Sequence, residues 1–421
     1  MSDAVSNKNE ITGQFLLPAI AFSASWGGGT QHLSQYDLSK VFPLLVSILI
    51  ARWFLRSGPK VIMPIWLTRF LFFTLIHTLI VFVVFFPNEL TYGYTGVVEL
   101  GGDFFRAEEG KLLVIFRFYL FALFSYALAI ELKSMRQIAM FSGFYGLGLA
   151  SVSFAGGYQS ITQDYIRLAG GFLNPNSFGL AGLTAMFLGF IAFYSDNKLW
   201  NRILSFISIG TGGYVLVVSS SRGNILGALS GIFVVVLLSR LGNKVKMLVA
   251  ALVLLVSLVF VVPNEYLVTV SHRFEYDQIV SRGGSGRLPL WQDYLRHFGE
   301  YSAQGVGATR SMTVIENDWT DKLLVTHNTY LQIIVEYGIV GFFLFMATLS
   351  SFWKRAVYIK QKNNSLPIAL FVALSVTIFF GCQLTSRDTW IILGVLGATT
   401  SNTLLKPSKN NEKVVNNKKI Q

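Results

Sequence analysis

Apolar runs of roughly 20 residues, the length needed to cross a hydrocarbon core, alternate with short polar connections along nearly the whole chain. The pattern predicts spans at about 12–30, 39–55, 62–86, 111–130, 137–156, 176–194, 203–219, 224–239, 247–263, 329–350, 366–383 and 389–405, about twelve helices in all. The first is the weakest of these, because "SASWGGGT" is poor helix material. The expected fold class is an all-α polytopic membrane protein, one membrane domain over 1–421. Its one long interruption is a loop at about 263–327. Within that loop Leu288, Leu290, Trp291, Tyr294, Leu295 and Phe298 recur near helical spacing, with Gln292, Asp293, Arg296 and His297 opposite them. This predicts an amphipathic helix that lies on the membrane or lids a cavity. The "GGSG" before it makes Arg287 a residue of a flexible loop-to-helix junction. No internal repeat is visible across the spans, which weighs against a transporter built on inverted repeats.

Composition agrees with this pattern: 52% of residues are hydrophobic and 13% charged, far from the balance of a soluble domain. The formal net charge of +12 raises nucleic acid as a partner, but the position of the charge argues otherwise. Connections such as "RSGPK", "ELKSMR", "SDNKLWNR", "RLGNKVK" and "WKRAVYIKQKNN", with the tail over 406–421, are short and basic. By the positive-inside rule they face the cytoplasm, with both termini, and the 263–327 loop faces outward. The basic balance is therefore topology, and no nucleic acid is expected. The N-terminus lacks the small-residue cleavage site of a removable signal. Cys382 is the single cysteine, so no internal disulfide is expected.

The chain contains no Walker loop, G-x-G-x-x-G, H-E-x-x-H, G-x-S-x-G, paired-cysteine pattern or D-x-D pair. The chemistry expected is thus independent of nucleotide and metal, without a cofactor. The outward connections instead hold a set of polar residues at span ends: Arg167 with Asn176 in "GGFLNPNSFG", Arg222 in "SSSRGN", Arg287 in "GGSGRLPLW", His327 and Asn328 in "THNTYL", and Arg387 with Asp388 in "TSRDT". Arginine offers a permanently charged planar fork that suits phosphate oxygens. Glycine and serine beside Arg222 allow close backbone approach, and the amides opening the next helix favour an anion. His327 is the general-base candidate, because nearby guanidinium groups keep it neutral; Asn328 is placed to orient it. Each residue alone has a plainer reading. An arginine at a span's end is commonly a snorkelling anchor, Asn176 a helix cap, and Arg387 and Asp388 a simple pair. His32, His77, His272 and His297 are read as structural. The coincidence of the set on one membrane face is what raises the functional reading.

The order "GGFLNPNSFG", "SSSRG", "SGRLPLW" with "GVGA", then "THNTYLQIIVEYGIVGFFLF" resembles the O-antigen ligase and polymerase superfamily of bacterial envelopes. The resemblance covers about 167–345. It implies a GT-C-like membrane fold in the inner membrane and an inverting, metal-independent glycosyltransferase with its active site in the periplasm. It also implies an undecaprenyl-diphosphate-linked glycan donor and either a lipid A-core acceptor, for a ligase, or a lipid-linked repeat unit, for a polymerase. Arg222 and Arg287 would hold the diphosphate and His327 would assist the acceptor, with Arg167, Asn176, Asn328, Arg387 and Asp388 as further substrate contacts. Ligase is favoured over polymerase by the span count and the single large loop. A transporter of lipid-linked sugars is the rival from another class; it would need charges at the bilayer midplane, where Arg69 and Arg117 are the clear instances.

Overall fold

The computed structural model describes residues 15–26, 41–57, 63–85, 93–100, 103–154, 158–161, 166–170, 174–195, 198–238, 257–276, 279–280, 283–311, 325–360 and 365–400. The N-terminal segment 1–14, His32, most of the span expected at 247–263, loop residues 312–324 and the tail over 406–421 lie outside these.

Helices account for nearly all of it. They are α1 (Phe15–Ala24), α2 (Val41–Ser57), α3 (Ile65–Ile80), α4 (Lys111–Glu131), α5 (Met135–Phe154), α6 (Pro175–Ser195), α7 (Leu199–Ser219), α8 (Arg222–Leu238), α9 (Asn264–Arg273), α10 (Gly283–Arg296), α11 (Phe298–Tyr301), α12 (Thr329–Lys360), α13 (Leu366–Phe379) and α14 (Arg387–Thr399). Among the described residues, five stretches are long and apolar enough to cross a membrane: Ile65–Val83, Val114–Glu131, Pro175–Tyr194, Leu199–Ser219 and Thr329–Ile359. Their outward faces carry large apolar side chains. Phe72 is 66% exposed, Phe206 61% and Phe343 64%, an arrangement that lipid satisfies and water does not. The protein is a polytopic membrane protein.

Two short antiparallel hairpins add to the all-helical expectation. β1 (Gly93–Leu100) pairs with β2 (Asp103–Gly110), and β3 (Tyr158–Ile161) with β4 (Ile166–Gly170). Neither was visible in the sequence, because both lie in polar connections without period-2 alternation. β4 packs on α6 and α7.

The bundle has one continuous apolar core, which joins α4, α6, α13 and α14 through residues such as Phe124, Phe178, Leu374 and Trp390. A smaller second cluster forms where Leu290 and Tyr294 of α10 and Tyr301 of α11 meet Ile334 and Val335 of α12. The amphipathic helix of the large loop is therefore docked on the first turns of α12. Its apolar stripe divides: Leu290 and Tyr294 face inward, while Leu288 and Leu295 are exposed. Tyr294 donates from its hydroxyl to the Ser311 carbonyl (2.7 Å), and Tyr301 to the Tyr294 carbonyl (2.6 Å).

α12 is broken at Gly338, which has φ 67° and ψ −172°. The left-handed φ suits glycine alone, because a Cβ there would sit 2.7 Å from the Ala303 carbonyl oxygen. The break exposes main-chain groups, and the loop after α11 satisfies them. Val306 N–H donates to Val335 O (2.9 Å), Gly307 N–H to Glu336 O (2.9 Å), and Ile339 N–H to Ser302 O (2.7 Å). Nothing else in an apolar run such as "VEYGIVGFF" marks this position, since glycine is common in membrane helices.

Candidate anion and proton-transfer site

The serines before Arg222 form the joint between α7 and α8. Ser220 takes a left-handed conformation (φ 47°) that ends α7. Ser221 then begins α8, with its carbonyl accepting from Ile225 N–H (2.9 Å). The side chains around the joint form one network. Asn176 Oδ1 accepts from Arg167 Nη2 (2.9 Å) and from Ser221 Oγ (3.1 Å); Asn224 Nδ2 donates to Asn176 O (2.6 Å) and Ser221 Oγ (2.8 Å); Arg167 Nε donates to Ser219 O (3.0 Å). Arg167 and Asn176, read from the sequence as substrate contacts, are thus the residues that fix the frame on which Arg222 stands. The cap of α6 is Asn174, whose side chain accepts from Asn176 N–H (2.7 Å), so the capping reading of Asn176 moves two residues upstream.

Arg222 is the first residue of α8 and is only 9% exposed. One of its Nη atoms donates to the carbonyl of Arg273, the last residue of α9, at 3.2 Å. Arg287 stands near the start of α10, after Gly286 with φ 78°. Burial, then the charges of Arg222 and Arg273, lower the Arg287 pKa to about 10. It remains charged at neutral pH, with the Arg222 and Arg273 charges near enough to act on it.

His327 lies just before α12 with φ 48°, a left-handed conformation that costs a non-glycine residue roughly 1–2 kcal/mol. Such strain persists only where neighbours over-determine the backbone, and here they do. Trp291 of α10 donates from its indole to Thr326 O (2.8 Å), and Thr326 Oγ lies 3.0 Å from Cys382 Sγ. Thr329 Oγ donates to Gly381 O (2.5 Å) and accepts from Gln383 N–H (3.0 Å). Asn328 caps α12, its Oδ1 accepting from Leu331 N–H (3.0 Å). That cap fixes where the helix begins, directly after His327. Burial first, and then the Arg287 charge, lower the His327 pKa to about 4. The imidazole is neutral at physiological pH and has a lone pair to offer.

The structure thus brings together Arg222, Arg287 and His327, and adds Arg273, which sequence reasoning missed. Arg273 sits in "SHRFEYD" with no motif around it; its only signal is a position at the end of a short amphipathic helix in the 263–327 loop. Arg387 and Asp388 make their described contacts elsewhere. Tyr145 donates from its hydroxyl to Asp388, Arg387 lies over the Phe42 ring (5.6 Å), and the two pair at 3.9 Å. They anchor the start of α14 against α5 and α2. Of the histidines read as structural, His77 contacts the Gln304 carbonyl (2.6 Å), His272 contacts Glu275 (2.8 Å) and His297 contacts Glu300 (2.9 Å).

Chemically, the arrangement can hold a multiply charged anion and accept a proton beside it. Among the described residues there is no group of three or more His, Cys, Asp or Glu side chains placed to hold a metal ion.

Residues 203–346 match the family model described as O-antigen ligase. The matched segment contains Arg222, Arg273, Arg287 and His327. The resemblance read from the ordered motifs is borne out over that stretch, and the match supports an enzyme of the ligase or polymerase type acting on lipid-linked glycans. No curated protein matches the chain.

Proposed function

We propose, on the premise of that family match, that the protein is a glycosyltransferase that moves a glycan from undecaprenyl diphosphate to a lipid A-core or similar acceptor. The active site would lie on the periplasmic face of the bacterial inner membrane. The observation that carries the reading is the meeting of Arg222, Arg287 and a neutral His327 at one end of the helix bundle. The basic connections on the opposite side support the orientation.

In the proposed reaction the donor diphosphate lies between Arg222 and Arg287. The acceptor hydroxyl attacks the anomeric carbon from the opposite face and gives its proton to His327. The bond from anomeric carbon to phosphate oxygen breaks with its electron pair on the phosphate. Arginines placed where that charge grows lower the barrier without reorganising during the reaction. Arg69 lies on an exposed face of α3, over the Trp66 ring at 4.5 Å. That placement suits an interfacial anchor and weighs against a charged transport path.

The test uses purified protein with lipid-linked donor and soluble acceptor. Arg222→Gln and His327→Asn are expected to lose transfer by about 10²-fold or more with unchanged folding; retained transfer in either rejects the assignment. A deletion strain separates the two reaction types. Long lipid-linked polymer with bare core marks a ligase, and core carrying one repeat unit marks a polymerase.

A further inference from the structure

The proposed reaction uses two arginines, but the large loop delivers a third to the same place. Arg273 ends α9 and is 8% exposed. Its helix packs on α7 and β4, the elements that frame Arg222. Its carbonyl accepts from Arg222 Nη at 3.2 Å, which ties that guanidinium to the end of α9. The charge of Arg273 also acts on Arg287, after that of Arg222. Three guanidinium groups therefore converge from the starts of α8 and α10 and the end of α9.

Gathering three like charges away from water is unfavourable, because Coulomb repulsion grows as the local dielectric falls. The arrangement becomes favourable around an anion of matching charge. An intact sugar-linked lipid diphosphate is a diester with two negative charges, which two arginines balance. When the bond from sugar to phosphate breaks, the freed lipid diphosphate gains a third. The extra charge is absent from the bound donor, develops in the transition state and is complete in the product.

We propose that Arg273 binds the leaving diphosphate and matches the negative charge that appears as the glycosidic bond to phosphate breaks. The inference rests on the diphosphate reading above. Arg273 donates hydrogen bonds and moves no proton; the acceptor's proton still goes to His327, and the electron pair of the broken bond stays on the phosphate. An interaction made in the transition state and not in the ground state raises kcat and leaves donor KM nearly alone. It also makes the site a stronger binder of lipid with a terminal diphosphate than of lipid with a single phosphate.

The competing role is structural, a cation that suits the negative end of α9. The experiment separates the two with full-length protein in detergent, using farnesyl diphosphate, farnesyl phosphate and inorganic pyrophosphate as inhibitors of transfer. In Arg273→Gln, kcat is expected to fall about 10²-fold with donor KM within about threefold. Inhibition by farnesyl diphosphate should weaken at least about tenfold, and inhibition by farnesyl phosphate by less than about threefold, one lost charge pair being of that size. Arg273→Lys, which keeps the charge, should recover part of both. Weaker inhibition by pyrophosphate as well assigns the effect to the diphosphate, whereas a change confined to the farnesyl compounds would overturn the proposal by assigning it to the lipid. Equal weakening toward both farnesyl compounds, or unchanged kcat, also overturns it. If the wild-type protein shows no preference for diphosphate over monophosphate, the diphosphate reading itself fails first.

Discussion

Lowering the pH is the perturbation that tests the site most directly, because His327 is the group whose titration the surrounding structure alters most usefully. Its pKa falls from 6.5 to about 4 by burial and by the charge of Arg287, a depression of about 3 kcal/mol at 1.36 kcal/mol per unit. A base must be deprotonated to act. The acid limb of kcat/KM, which reports the free enzyme, should therefore lie near pH 4 and leave that parameter flat from pH 8 to about 5. Bound donor brings two negative charges beside the arginines and reverses part of the depression, so the acid limb of kcat should lie at higher pH than that of kcat/KM. A diphosphate diester does not itself titrate in this range. The same shift affects stability. Between pH 6.5 and about 4 the unfolded chain binds a proton that the folded chain refuses, so this residue makes stability fall as pH drops through that window and adds no pH dependence above it. The assay pairs initial-rate pH profiles with histidine-selective NMR of the protein in detergent, His327→Asn identifying the resonance. A titration at or above 6.5, or a kcat limb at or below that of kcat/KM, would refute the reasoning.

Three further outcomes follow from the geometry. Gly338→Ala places a Cβ 2.7 Å from the Ala303 carbonyl at φ 67° and should cost at least about 1–2 kcal/mol, read as a lowered Tm in detergent; an unchanged Tm would show that the break in α12 is dispensable. Asn176→Ala leaves Arg167 Nη2 and Ser221 Oγ without their shared acceptor. It should destabilise by about 1–3 kcal/mol and reduce kcat by letting the Arg222 joint move, so full activity in this variant would argue that the network does not position Arg222. Trp291→Phe keeps the edge-to-face contact with Phe379 (5.4 Å) but removes the indole bond to Thr326 O. A loss of about 1 kcal/mol, with a larger effect on kcat than on KM, is expected from loosening the His327 segment.

The helices at 111–131, 175–195 and 199–219 begin and end within a few residues of the spans read from hydropathy, because in lipid a backbone must satisfy its own hydrogen bonds and length alone selects the helix. The site motifs were equally legible. Arg222, Arg287 and His327 each break an apolar or glycine-rich context in a way that demands explanation. What escaped has a physical cause in each case. In a membrane protein, side chains facing lipid and side chains facing protein are both apolar, so the stripe of α10 could not reveal that Leu290 and Tyr294 turn inward while Leu288 and Leu295 do not. Arg167 and Asn176 carry the composition of a ligand site, yet they bond to the main chain and side chains of a joint 45 to 52 residues away, a pairing no local pattern encodes. Arg273 gains its meaning only from where α9 folds.

The break in α12 has a consequence for how the enzyme sits in its bilayer. The helix runs for 32 residues, about 48 Å at 1.5 Å per residue, against a hydrocarbon core of about 30 Å. The portion after Gly338 is by itself long enough to cross. The portion before it is bonded to the loop at 302–307 and begins directly after His327 and Asn328. Changes in bilayer thickness, which tilt a spanning helix, are expected to act on the portion after Gly338 and to be taken up at the glycine. The imidazole is thereby expected to stay in register with Arg287, its distance from that residue decoupled from the thickness of the membrane that the protein occupies.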